Sequence, residues 1–121
     1  MKYESYAVVD SKALPGVRLN VRRMSFSRRV ELMRRIRELA QRAEFLAAGD
    51  NPEQQMDGAL LRAEIERIYV AWGVEAVAGL EIDGVPATPE ALAIAAPEEL
   101  FREALEAVKA ECGLTEAERK N

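Results

Sequence analysis

Ala47-Ala48-Gly49-Asp50-Asn51-Pro52-Glu53 decides how this chain folds. Gly49 is a natural C-cap for a helix ending there. Asn51 suits the N-cap of a new helix, and Pro52 suits its first position. Upstream, Leu32, Ile36, Leu39, Ala43 and Leu46 recur at steps of four, three, four and three, which makes one helical stripe. Met33, Ala40 and Ala47 widen it. Ser25 or Ser27 starts this helix, which runs to about Ala48. Glu31 lies four residues after Ser27, so the capping-box spacing of three is not met there. Downstream, Leu61, Ile65, Ile68 and Trp72 make a second stripe, with Met56, Leu60 and Ala63 beside it. Gly58 weakens the first turns by about 1 kcal/mol relative to Ala, and Gly73 ends the helix. Two helices joined by so short a loop pack antiparallel as a helical hairpin.

Outward from the hairpin, the pattern changes period. Residues 4–24 read as extended. Tyr6, Val8 and Val9 form one run, Pro15-Gly16 is a turn, and Val17, Leu19 and Val21 alternate with Arg18, Asn20 and Arg22. That period of two predicts a half-buried strand and a β-hairpin that needs helices against it. Between residues 74 and 87, Val77, Leu80, Ile82 and Val85 sit among small residues, with Asp83-Gly84 as a tight-turn pair. This reads as a second small hairpin or an extended crossing segment. Thr88-Pro89-Glu90 starts a short helix to about Ala95. Pro97-Glu98-Glu99 starts another, with Leu100, Phe101, Ala104, Leu105 and Val108 facing inward and Gly113 closing it. Thr115 and Glu118 have capping-box spacing for a last turn, and the end at Arg119-Lys120-Asn121 is expected to fray. The predicted fold class is mainly α with minor β (α+β): a helical hairpin plus C-terminal helices, an N-terminal β-hairpin and a short central hairpin. Residues 1–121 read as a single domain.

Composition narrows the function. With 49% hydrophobic and 31% charged residues the chain is globular. At 6% aromatic residues, the core must come from Leu, Ile, Val, Met and Ala. The one cysteine, Cys112, allows no intrachain disulfide and reads as a small apolar packing residue. No apolar run approaches a membrane span, so a cytoplasmic protein is expected. There is no histidine. That removes the usual general base near neutral pH, the commonest transition-metal ligand and any Ser-His or Cys-His pair. Binding is expected in place of catalysis, with no cofactor. Asp50, Glu53 and Asp57 lack the calcium-loop pattern and read as acids at a helix N-terminus. Gly73, Gly79 and Gly84 form no phosphate loop.

Charge is divided unevenly. Residues 1–48 carry 11 Lys/Arg against 5 Asp/Glu, a net of +6, and residues 49–121 carry 6 against 16, a net of −10. Such halves attract each other, a second copy or a nucleic acid. The arginines between positions 22 and 42 are the sharpest feature. Arg28, Arg29 and Arg35 are the candidate contacts, with Phe26 beside them. Their first reading is a solvated helix face paired to acids, for which the acidic half is the obvious internal partner. Their second is a phosphate-binding face. Phe26 alone interleaves them, and the following helix is acidic, so nucleic acid is the weaker partner. Tyr69 and Trp72 read first as core residues, and as interface anchors only if exposed.

Four stretches resemble the tail assembly chaperones of tailed bacteriophages and prophages. They are Arg22-Arg23-Met24-Ser25-Phe26-Ser27-Arg28-Arg29, then Ala71-Trp72-Gly73-Val74, then Gly79-Leu80-Glu81-Ile82-Asp83-Gly84-Val85-Pro86-Ala87-Thr88-Pro89, and the last eleven residues from Glu111. The resemblance implies a protein that binds the long, aggregation-prone tape measure protein and holds it soluble while tail tube subunits polymerise around it. It also implies a longer form made by ribosomal frameshifting, with which the Arg119-Lys120-Asn121 end is compatible. The family offers no catalytic residue to carry over. A structural or adaptor component of the tail or virion is the first alternative, and a nucleic-acid-binding accessory protein using the arginine helix is the second.

Overall fold

The structure, a computed structural model, describes residues 1–113; the expectations for Thr115, Glu118 and Arg119-Lys120-Asn121 lie outside the described residues. Two strands, β1 (Tyr6–Asp10) and β2 (Arg18–Arg22), form the N-terminal hairpin, and α1 (Phe26–Ala47) and α2 (Pro52–Gly73) form the helical hairpin. β3 (Val74–Ala78), the small hairpin β4 (Glu81–Ile82) and β5 (Val85–Pro86), then α3 (Ala91–Ile94) and α4 (Glu98–Glu111) complete the chain. The architecture is α+β, as the sequence predicts.

The segment after α2 resolves into both of the readings it allows. β3 crosses back to pair antiparallel with β2, giving a sheet of order β1-β2-β3, and residues 81–86 form the separate hairpin. Asp83 and Gly84 both take positive φ, 53° and 80°, as a two-residue turn of this hand requires. The alternation in β2 does what its period implies. Leu19 and Val21 are fully buried, and Val9 and Val77 flank Leu19 in register. Val8, opposite Asn20, lands on the open face. The inner face of the sheet meets α4 and the C-terminal part of α2. There Val70, Val74, Leu100, Leu105 and Val108 close one core.

Capping settles the helix starts. Ser25, not Ser27, caps α1: its Oγ accepts the Arg28 N–H at 3.2 Å. Asn51 Oδ1 accepts the Gln54 N–H at 2.7 Å, with Pro52 at the first position. α1 packs chiefly on α2, through Leu32 and Ala43. Gly58, which by propensity only weakens α2, is buried where the helices touch. A methyl group there would come within 3.3 Å of the Ala43 carbonyl and the Ala47 nitrogen. Gly73 ends α2 with a similar constraint, since its Cβ would stand 2.5 Å from Val108 Cγ1 and 2.6 Å from Cγ2.

One carboxylate ties the first turn to the last helix. Glu103 on α4 accepts hydrogen bonds from the Ser11 hydroxyl, from the Lys12 N–H at 2.8 Å and from the Ala13 N–H at 3.3 Å. Partial burial pushes its pKa up, but these hydrogen bonds and the Lys12 charge outweigh that and hold it below the ordinary glutamate value.

Two outcomes follow. Gly73→Ala should destabilise by about 1–3 kcal/mol, because a β-branched buried neighbour cannot give way; urea unfolding measures it, and an unchanged midpoint would mean α4 shifts freely. Glu103→Gln should lower Tm at neutral pH. A depressed carboxylate contributes stability above its unfolded pKa and loses it as pH falls through the folded one. The gap between the two proteins should therefore close in acid, and a gap independent of pH would assign Glu103 a packing role only.

Candidate functional site

The arginines expected to make one cationic face are divided by the fold into two groups. The first group lines a cavity of ≈ 290 Å³ between β2, the start of α1 and the end of α2, where Arg22, Arg28 and Arg35 meet Glu31, Trp72 and Glu90. Each is already engaged. Arg22 Nε donates to the Trp72 carbonyl at 2.9 Å. Arg28 donates to the carbonyls of Arg23, at 2.8 Å, and Ser5. Arg35 Nη2 pairs with Glu31 at 2.9 Å. The second group, Arg34, Arg37 and Arg42, projects from α1 with no partner among the described residues.

The acidic half does not neutralise them. The arginine ion pairs join residues of the same half: Arg18 with Asp10 and Arg35 with Glu31 in the first, Arg67 with Glu64 and Arg102 with Glu66 and Glu98 in the second, where Lys109 also approaches Glu66. The internal partnership that composition predicts is therefore corrected by the fold. Arg34, Arg37 and Arg42 of α1 and Glu53 and Asp57 of α2 are exposed without an ion-pair partner among the described residues.

A largely apolar trough of ≈ 430 Å³ runs along α1, lined by Val30, Met33, Ile36 and Ala40 together with Arg34, Arg37 and Gln41. Met33, expected to widen the buried stripe, is 59% exposed. The same correction applies on α2. Met56 and Leu60, expected beside the packed stripe, are each 63% exposed, on the side away from Gly58. The signal was present in the spacing. Val30, Met33, Arg37 and Ala40 run at steps of three, four and three, and Met56, Leu60 and Ala63 at steps of four and three. Each is a second stripe rotated from the first.

Of the other residues singled out by sequence, Tyr69 is 9% and Trp72 8% exposed, both in the core. They are not surface anchors. Phe26 is 85% exposed at the first turn of α1. Arg29 lies near enough to Cys112 to lower its pKa, but burial, aided by Glu111, pushes that thiol up. Cys112 is a buried packing residue that stays protonated near neutral pH. No helix of the described residues is long and apolar enough to cross a membrane.

Comparison with protein-family models, with curated proteins and with solved structures returns no match for this chain. Trp72→Ala should cost about 3–5 kcal/mol by removing a core side chain. Phe26→Ala should stay within about 0.5 kcal/mol of the parent. Paired thermal melts check both, and the reverse order would place Trp72 at the surface.

Proposed function

We propose that this protein binds a long helical protein and keeps it soluble, in the manner of a tail assembly chaperone acting on a tape measure protein. The observation that carries this reading is the uncovered apolar trough of α1, with Arg34 and Arg37 in its lining. An amphipathic helix can lay its apolar side into such a trough, while the two guanidinium groups select acidic flanks and speed encounter. A long client offers many such stripes, so modest single contacts add up by multivalency. The resemblance of the Arg22, Trp72, Gly79 and Glu111 stretches to that family supports the same reading.

A nucleic-acid partner is favoured only by the unpaired Arg34, Arg37 and Arg42. Glu53, Asp57 and Glu64 project from the neighbouring α2, and phosphates would be repelled there. A structural or adaptor role in the tail would use the same trough for a permanent partner.

Affinity capture of the tagged protein from a phage-producing bacterial host, with nuclease treatment and mass spectrometry, tests the reading. It should recover one very long helical protein, insensitive to nuclease, and Met33→Glu should reduce that recovery severely without lowering Tm. Partners lost on nuclease treatment would transfer the arginines to nucleic acid. Capture of mature tail components alone would make the protein a structural one.

A further inference from the structure

The fold leaves two helical faces uncovered, and they are opposite in charge. On α1, Val30, Met33 and Ala40 line the trough together with Arg34 and Arg37. On the outer side of α2, Met56, Leu60 and Ala63 form an exposed stripe, with Glu53 and Asp57 four residues apart along one flank. Arg34, Arg37, Glu53 and Asp57 all lack an ion-pair partner among the described residues. We propose that a second copy of this chain covers these faces, the α1 trough of one molecule docking on the outer α2 stripe of the next.

The two faces are complementary within one sequence. The α1 face is apolar with a basic border, and the α2 face is apolar with an acidic one. Inside a molecule they cannot meet, because α1 and α2 already pack through their inner stripes, closed by Gly58. Between molecules they can. The α1 stripe spans about 15 Å from Val30 to Ala40 and the α2 stripe about 10 Å from Met56 to Ala63 at the helical rise, so the shorter fits within the longer. Apolar contact supplies attraction, and the flanking charges set register and exclude α1 against α1 or α2 against α2, where like charges would face each other. The contact joins different surfaces of identical molecules, so an open assembly keeps one free face of each kind at its ends unless the arrangement closes. The inference uses the same α1 face as the client-binding reading but does not depend on it.

Sedimentation equilibrium of the purified full chain tests it, with no client present. At low ionic strength the wild type should exceed its 13.5 kDa monomer mass, and added salt should lower the mass as the charges are screened. The double variant Arg34→Glu/Arg37→Glu should be monomeric alone, and so should Glu53→Lys/Asp57→Lys. All four positions are exposed, and far-UV circular dichroism verifies that both variants fold. Mixed together, the two variants restore opposite charge at every α1–α2 contact, so association should return. A wild type that is monomeric at every concentration overturns the proposal. So does association that survives either reversal, which would place the contact elsewhere. An acidic amphipathic helical peptide that binds a strictly monomeric wild type through Arg34 and Arg37 would assign the trough to a foreign partner instead.

Discussion

The contact between Gly73 and Val108 is the constraint on which the rest of the structure depends. α2 ends at Gly73 and β3 begins at Val74, so helix becomes strand with no connecting residue. That junction can exist only where α4 comes close enough to shield it. With 2.5 Å between a would-be Cβ and Val108, only hydrogen fits. The consequences spread in both directions. Val70 and Val74 are drawn into the core beside Val108, and β3 is delivered to the edge of β2. The Trp72 carbonyl, left without a helical donor at the end of α2, takes one from Arg22 Nε. An added methyl would push α4 away from β2 and admit water to Leu19 and Leu105, residues that the sheet cannot cover from its other side.

The charged residues carry less of the stability than their number implies. The ion pairs on α1 and at Asp10 join side chains that are half or more exposed, and such pairs contribute about 0–1 kcal/mol each. Arg22 and Arg28 are different because they satisfy backbone carbonyls at element ends, where an unmet acceptor would be costly. The arginines thus divide by what they touch. Those bonded to carbonyls hold the sheet, the helical hairpin and the N-terminal segment together. Arg34, Arg37 and Arg42 make no such contact among the described residues, so nothing in the packing accounts for their place on the surface of α1.

Most of the fold was legible in the sequence, because its signals are local. Asn51-Pro52, Asp83-Gly84 and the alternation through Val17, Leu19 and Val21 each act through hydrogen bonds or side-chain direction within a few residues. Two things were not legible. The role of Gly58 and Gly73 depends on residues 15 and 35 positions away in sequence, Gly58 on Ala43 and Gly73 on Val108, and propensity treats both only as weak helix formers. The division of the apolar residues of α1 and α2 into inner and outer stripes depends on how many partners each helix meets. Met33, Met56 and Leu60 fit a helix covered on two sides equally well. The candidate site was legible in part: the arginine helix was singled out, but Tyr69 and Trp72 were drawn into the core and the trough beside Arg34 and Arg37 was missed.

A helix with a single packing partner can bury one stripe, roughly a third of its surface. α1 carries more apolar residues than that stripe holds and meets little besides α2. Exposed apolar rows of this kind cost solubility unless something covers them. In this chain the rows are accompanied by charges without ion-pair partners among the described residues, basic on α1 and acidic on α2, and such charges oppose nonspecific collapse while leaving a matched partner able to approach. A chain selected only to fold would have put polar residues at Met33, Met56 and Leu60, because nothing in the packing of the core requires them. Their place beside Arg34, Arg37, Glu53 and Asp57, on the outer faces of the helical hairpin and away from the sheet and the α4 core, is what the proposed docking of a partner on these faces would use.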